Sequence, residues 1–234
     1  MQFFIFFLVV CLFIFLFCEY YLAKDDLVFL RKNISMERFF NIIFIGSLFC
    51  LLGARFFYGL FHAKQILLNP FVFLLFPYFP GLSLVGGVIG AVVFYLILSL
   101  NKKNPLPLGR MSDFFSVGFL ITLPVGFLGY FMFAEEMSSL IRTISLMAVY
   151  IILFAIFWKI FLPQMLNHKF KDGTITFLFL VCFSLVSIIS NTVRDFKEIL
   201  TLENVIFLIM LISSLVFLIM QENLLSKVFK IRKN

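Results

Sequence analysis

Charged residues are scarce in this chain. They make up 13% of its 234 residues, whereas about a quarter is usual for soluble domains. Hydrophobic residues account for 63% of the chain, with 37 phenylalanines among them, and the mean hydropathy is +1.12. This composition excludes a soluble globular domain and predicts an integral membrane protein.

Metal-binding residue types are also few. The chain has four cysteines, all inside apolar runs, and two histidines, His62 and His168, which lie at the ends of such runs. Neither type shows the spacing of a metal site, and buried thiols usually pack as small hydrophobic side chains. The sequence therefore predicts no metal, no cofactor and no disulfide.

Seven apolar runs reach the length of about 20 residues that a helix needs to cross a bilayer. Because lipid offers no hydrogen bonds to the backbone, these runs are expected to be helices rather than strands. The first run has neither a basic start nor a small-residue cleavage site, so it does not resemble a removable signal peptide. The sequence predicts an all-α, polytopic membrane protein with a single domain over 1–234 and helices at about 2–22, 39–61, 81–100, 114–134, 143–163, 174–193 and 204–225.

Basic residues are distributed unequally between the two sides. Of the 19 lysines and arginines, 14 lie after the first and third runs, at and after the end of the fifth run, or in the C-terminal tail. The opposite connections hold only Lys64, Arg142, Arg194 and Lys197. By the positive-inside rule, the N-terminus is outside and the C-terminus inside. The net charge of +7 thus reflects topology, and no nucleic-acid partner is predicted.

This orientation places several polar residues in one layer near the outer leaflet. Arg55 in the second run, the glycine cluster at 81–90, Glu135 after the fourth run and Arg194 after the sixth all fall there. Long side chains at helix ends usually extend to the membrane surface. Arg55 is different, because the residues on its outer side are largely apolar. A charge at that depth costs about 2–3 kcal/mol, so we expect a polar partner or a polar cavity.

Four sequence blocks share their order and spacing with one known family. GARFFY at 53–58, followed by Asn69-Pro70, is similar to G-A-R-x-x-Y…N-P, and GLSLVGGVIG at 81–90 is similar to G-[LM]-S-F-H-G-G-L-I-G. GFLGYF at 126–131 lies between Asp113 and Glu135 with the spacing of G-R-I-G-N-F and the glutamate that follows it. Positions 183–194 keep the spacing of Y-x-x-x-R-x-x-x-E-x-x-R. Over most of 24–220, the chain resembles the prolipoprotein diacylglyceryl transferases.

The resemblance implies a seven-helix enzyme of the bacterial plasma membrane. Such enzymes move diacylglyceryl from phosphatidylglycerol to a lipoprotein cysteine, forming a thioether and releasing glycerol phosphate. The implied partners are a phosphatidylglycerol-like phospholipid and the signal segment of a prolipoprotein. The resemblance assigns lipid or substrate binding to Arg55, Ser83, Gly86, Gly87 and Arg194. Glu135 is the candidate catalytic residue, as the obvious ionisable proton acceptor left in the layer.

Several family positions carry different chemistry here. The histidine position is Val85, which cannot accept a proton, and the external segment before the fifth run shrinks to about 135–142. The other changed positions are Phe127 and Ser187 for arginine, Tyr130 for asparagine, and Asn191 for glutamate.

Three function classes stay open. The chain is an active transferase with rearranged residues, a catalytically silent relative that binds anionic lipid or signal segments, or a channel or transporter. No file of polar residues, recurring broken helix or internal repeat supports the last class. The resemblance favours the transferase as the function, whereas the lost polar groups predict low activity.

Overall fold

The computed structural model describes residues 2–62, 71, 73, 81–100, 106–132, 137–194 and 201–222. The described elements are helices, and no strand occurs among these residues. In chain order they are α1 (Gln2–Ala23), α2 (Leu27–Arg31), α3 (Met36–Phe61), α4 (Leu84–Leu100), α5 (Leu108–Phe131), α6 (Met137–Ile156), a π-helical turn (Phe157–Phe161), α7 (Leu162–Leu166), α8 (Thr174–Arg194) and α9 (Leu202–Gln221).

Six spans in the described part are long and apolar enough to cross a membrane: Phe6–Ala23, Met36–Phe61, Leu108–Phe131, Leu140–Leu166, Thr174–Val193 and Leu202–Gln221. The predicted helix at 81–100 corresponds to α4, which is apolar but has 17 residues. The prediction of a helical membrane protein is thus confirmed. Seven crossings and the orientation of the termini stay predictions.

Several helix boundaries differ from the predicted ones; α6, for example, begins at Met137 rather than 143. Helix α3 begins at Met36 rather than 39, because the Ser35 hydroxyl accepts a hydrogen bond from the Arg38 amide (3.2 Å) and caps the helix. Helix α5 begins at Leu108 rather than 114, so Asp113 lies inside the helix rather than at its start. Apolar runs did not indicate this extension, because the first turns of α5 contain polar residues.

The chain forms two compact units, Met1–Leu108 and Gly109–Asn234. In the first unit, α3 packs against α4 through glycines. A β-carbon added to Gly53 would lie 2.5 Å from the Gly86 carbonyl oxygen and 2.9 Å from the Gly90 α-carbon. Since real β-carbons essentially never come so close, only glycine allows this backbone approach. The predicted single domain over 1–234 stays a prediction.

In the second unit, a buried aspartate joins α5 to the start of α8. The Asp113 carboxylate accepts hydrogen bonds from the Gly173 amide (2.7 Å), the Thr176 amide (2.8 Å) and the Thr176 hydroxyl (2.9 Å). Gly173 has a φ of 100°, which L side chains rarely adopt. Asp113 therefore satisfies amides at the N-terminus of α8 that the helix itself leaves without partners.

A second set of polar contacts lies close to Asp113. Buried Arg110 donates to the Met165 carbonyl (3.2 Å) and contacts Asp172 (3.4 Å). Glu222, just after α9, accepts hydrogen bonds from the Lys171 amide (2.9 Å) and the Thr174 hydroxyl (2.8 Å). These contacts fasten the ends of four helices, α5, α7, α8 and α9, to one another within the second unit.

Candidate functional site

Arg55 is buried inside the first unit and has polar partners. Its Nε donates to the Phe73 carbonyl (3.2 Å), and its Nη1 donates to the Gly81 carbonyl (3.0 Å). The side chain is 2% exposed. The expectation that this arginine needs a polar partner is confirmed, and the partners are backbone carbonyls. A guanidinium held from two of its edges has a fixed position.

The glycine block begins where Arg55 is anchored. Gly81 has a φ of 151°, and a β-carbon there would overlap the Tyr58 ring. Two residues on, the Ser83 amide donates to the Ala54 carbonyl (3.0 Å) and the Ser83 hydroxyl accepts from the Gly86 amide (3.4 Å). The segment that holds Arg55 is thus tied to both α3 and α4.

The three glycines of α4 differ in the space around them. A β-carbon on Gly86 would overlap the Gly53 carbonyl oxygen and lie 2.7 Å from the Phe57 β-carbon. Gly90 is equally tight against the Phe49 carbonyl oxygen. At Gly87, by contrast, the nearest neighbours lie 3.8 Å away, at ordinary contact distance. Gly86 and Gly90 are therefore required for packing, whereas packing alone does not explain Gly87.

Val85 is 1% exposed and belongs to the apolar core of the first unit. It lies two residues after Ser83, in the first turn of α4. The position to which the resemblance assigns a histidine is therefore filled by a side chain without proton-transfer capacity.

Two of the altered positions in the second unit contact the same tyrosine. The Phe127 ring stacks on the Tyr150 ring, with centroids 5.7 Å apart, and the Ser187 side chain makes a polar contact with that of Tyr150. Tyr150 is 2% exposed and also contacts Phe183, at 6.4 Å between centroids. Both positions where the resemblance has arginine thus support one buried phenol in α6.

The altered position Asn191 has a polar partner on the next helix. Its Nδ2 donates to Oδ1 of Asn204 in α9, at 2.9 Å. Asn204 is buried and lies three residues after Thr201. The Thr201 hydroxyl accepts a hydrogen bond from the Asn204 backbone amide (3.4 Å). Arg194 follows Asn191 by three residues and is the last residue of α8. The glutamate position of the family thus carries an amide pair that joins α8 to α9.

The remaining predicted site residues are Tyr130 and Glu135. Tyr130, near the end of α5, is 61% exposed. Glu135, the candidate catalytic residue, lies outside the described residues, and its role stays a prediction. Among the described residues, no cluster of three or more histidine, cysteine or acidic side chains is arranged to hold a metal ion.

Sequence reasoning missed three polar residues. Tyr150 carried no sequence signal, because it lies in an apolar run far from 127 and 187. Asn204 could have been noticed as a lone amide near the start of the last run. Glu19 in α1 is fully buried, and neither carboxylate oxygen has a hydrogen-bond partner in the described part of the chain. A carboxylate inside an apolar run is itself an available signal.

The comparisons with known proteins agree with the resemblance. The model of the family described as prolipoprotein diacylglyceryl transferase matches residues 1–220. A phosphatidylglycerol–prolipoprotein diacylglyceryl transferase of Fusobacterium nucleatum is 35% identical over 113 residues, which is 45% of this chain and 38% of that protein. The aligned part thus spans well under two thirds of that relative. The family match runs through both units and includes the Arg55 anchor, the glycine block and the Tyr150 contacts, so this chain belongs to the prolipoprotein diacylglyceryl transferase family.

Proposed function

We propose that this chain transfers diacylglyceryl from phosphatidylglycerol to the cysteine thiol of a prolipoprotein in the bacterial plasma membrane. The observation that carries the proposal is Arg55, a buried guanidinium anchored on the Gly81 carbonyl at the start of the glycine block. Family membership over residues 1–220 supports it.

The reaction replaces one bond on the lipid. The cysteine sulfur attacks the carbon of the diacylglyceryl unit that bears the phosphate. A C–S bond forms, and the bond between this carbon and the phosphate oxygen breaks. Glycerol phosphate leaves with the electron pair of that bond, and the thiol proton passes to a base. A positive charge beside the phosphate stabilises the leaving anion.

Arg55 is the proposed phosphate-facing group. Because its Nε and Nη1 donate to fixed carbonyls, the charge is positioned before the lipid arrives. Ser83, Gly86 and Gly87 belong to the same block, and Gly87, which is half-buried and not tightly packed, is the proposed point of close approach for a lipid headgroup. Arg194 is the second proposed anion contact.

With valine at position 85, the proposed proton acceptor is Glu135. A carboxyl can act as a general base near neutral pH where apolar surroundings raise its pKa. The replaced family positions predict a turnover well below that of a relative with histidine and both arginines, because each missing group typically contributes about 10²-fold or more.

The test uses purified protein in phosphatidylglycerol nanodiscs with a lipobox peptide, and mass spectrometry follows the added mass of diacylglyceryl. We expect slow transfer that Arg55→Gln and Glu135→Gln abolish and Arg142→Gln, at an exposed position of α6, leaves unchanged. The catalytically silent alternative predicts no adduct. In that case, native mass spectrometry would still show phosphatidylglycerol retained by the unmodified protein and lost from Arg55→Gln. If the unmodified protein shows no transfer and retains no phosphatidylglycerol, both functions are refuted.

A further inference from the structure

The segment between α1 and α3 presents an apolar pair beside cations. Leu27 and Leu30 of α2 are 70% and 60% exposed, although both are large hydrophobic residues. They are three positions apart, which places them on one side of the helix. Arg31 and Lys32 follow at once and are exposed as well. We call Leu27, Leu30, Arg31 and Lys32 the α2 patch.

The patch is held outward by contacts on the opposite side of the helix. Phe29 is buried, with its ring centroid 5.2 Å from that of Phe39 in α3. The Asp26 carboxylate caps α2, accepting from the Val28 amide (2.9 Å) and the Phe29 amide (3.2 Å). The cap and the buried ring fix the orientation of α2. The two leucines therefore point away from the protein.

The position in the chain and the charge identify what covers the patch. Residues 24–35 join two helices of membrane-spanning length, α1 and α3, so the patch lies within reach of the bilayer surface. Exposed Tyr20 and Tyr21 precede it, as aromatic residues do at membrane interfaces, and Lys24 lies over the Tyr21 ring (5.2 Å). The acidic neighbour Asp25 is paired with Lys24 (3.8 Å). Two leucines are far too small for a stable protein interface, which takes about 800 Å² per partner.

We propose that the α2 patch rests on the cytoplasmic leaflet, with Leu27 and Leu30 in the acyl–headgroup boundary and Arg31 and Lys32 on anionic phospholipid headgroups. An apolar face flanked by cations is the arrangement of interfacial membrane helices. Anionic lipid raises the affinity for the surface by about fivefold for each nearby basic residue. The inference is independent of the proposed transfer reaction, because it concerns neither Arg55 nor Glu135.

The single tryptophan of the chain, Trp158, allows a direct test. In a Trp158→Phe background, Leu30→Trp reports on the patch, Phe29→Trp on the protein interior and Asp25→Trp on an exposed neighbour. Each protein is placed in vesicles of phosphatidylcholine with phosphatidylglycerol. Quenching by acrylamide is compared with quenching by lipids brominated near the top of the acyl chain, and circular dichroism checks that each variant folds.

We expect brominated lipid to quench the Leu30→Trp protein, with little quenching by acrylamide, whereas acrylamide quenches the Asp25→Trp protein. The Phe29→Trp protein should be protected from both quenchers. Acrylamide quenching of the Leu30→Trp protein as strong as that of Asp25→Trp, without lipid quenching, would overturn the proposal. Protection of the Leu30→Trp protein from both quenchers would also overturn it, because a protein surface and not lipid would then cover the patch.

The contribution of Arg31 and Lys32 to headgroup binding has its own test. In the Leu30→Trp protein, Arg31→Gln with Lys32→Gln should weaken the affinity of the patch for phosphatidylglycerol by about fivefold for each residue removed. Lys169→Gln in the second unit should leave this affinity unchanged. Equal responses in phosphatidylcholine alone and in phosphatidylglycerol would refute headgroup binding. Inorganic phosphate added in detergent should leave the emission of the Leu30→Trp protein unchanged, and a shift would indicate a free-phosphate site instead of a lipid surface.

Discussion

The rings of Phe127 and Tyr150 stack almost in parallel, with 13° between their planes. Ser187 makes a polar contact with the same Tyr150 side chain. The family resemblance has arginine at both 127 and 187, so two losses of charge converge on one phenol. The two substitutions are therefore physically connected. Where the resemblance implies two arginines, this chain has a ring stack and a neutral polar contact with the same tyrosine.

The polar contact between Tyr150 and Ser187 should show as coupling between two substitutions. Tyr150→Phe and Ser187→Ala should each lower the free energy of unfolding by about 1 kcal/mol, and the double variant by little more than either one. Unfolding in detergent, followed by helical circular dichroism, gives the three values. Tyr150→Ala, which also removes buried ring contacts, should cost about 3–5 kcal/mol. Fully additive single effects would show that this contact makes no net contribution to stability.

The glycine block offers a matched pair of substitutions one position apart. Gly86→Ala should separate α3 from α4, because its β-carbon would overlap the Gly53 carbonyl oxygen, and we expect a loss of about 2 kcal/mol or more. Gly87→Ala has neighbours at 3.8 Å, so its fold should be kept and helix propensity should even favour it by up to about 1 kcal/mol.

The same pair separates packing from lipid binding. If Gly87 serves headgroup approach, as proposed, Gly87→Ala should weaken phosphatidylglycerol retention in native mass spectrometry while its thermal unfolding stays normal. A Gly87→Ala protein that unfolds as early as Gly86→Ala would contradict the packing described for α4.

Asp113 is predicted to act on the fold of the second unit. Asp113→Ala leaves the buried amides of Gly173 and Thr176 without their acceptor, so we expect a loss of about 3 kcal/mol in the free energy of unfolding. Asp113→Asn keeps one carbonyl acceptor and should cost less. Exposed Asp25→Ala is the control and should cost under about 1 kcal/mol. Amide hydrogen exchange adds a local measurement, because Thr176 should lose protection first.

The orientation of the chain is open to a direct measurement. With 14 of 19 basic residues on one side, a reporter fused after Asn234 should behave as cytoplasmic and one inserted near Ser138 as external. Accessibility of these two sites to a membrane-impermeant thiol reagent, after cysteine substitution in a background without the native cysteines, gives the same answer independently. Reversed accessibility would move Arg55 and the glycine block to the inner leaflet.

How far the sequence could predict this molecule depends on the range of each interaction. Apolar runs predicted the spans, since hydropathy is local, and the charge in the second run correctly predicted a polar partner for Arg55. Helix α2 escaped prediction because five residues are too few for a periodic signal. The start of α5 was missed because Arg110 and Asp113 are polar and their partners at 165–176 are distant in the sequence.

The candidate site shows the same division. Gly86 could be predicted as a packing residue from its spacing to Gly90, but the different role of Gly87 required the positions of the α3 backbone atoms. The contact between Tyr150 and positions 127 and 187 joins three separate helices, and no spacing rule within one helix predicts it.

The last prediction concerns Glu19, which lies in the last turns of α1. It is fully buried, and in the described part of the chain neither carboxylate oxygen has a hydrogen-bond partner. A buried polar group without a partner costs about 1–3 kcal/mol, and an ionised one costs more. Replacement by an apolar side chain of similar length, Glu19→Met, should therefore raise the free energy of unfolding by about 1–3 kcal/mol.

Glu37→Met is the matched control, because Glu37 is exposed in the first turn of α3 and should change stability by under about 1 kcal/mol through the helix dipole. Denaturant titrations of the three proteins in the same detergent give the comparison. A Glu19→Met protein less stable than the parent would mean that the carboxyl is required in its buried position. Glu19→Gln then tells which property is required, since it keeps the side-chain length and one carbonyl oxygen but removes the acid. Stability restored by glutamine would assign the requirement to hydrogen bonding, and stability still lost would assign it to the acid itself.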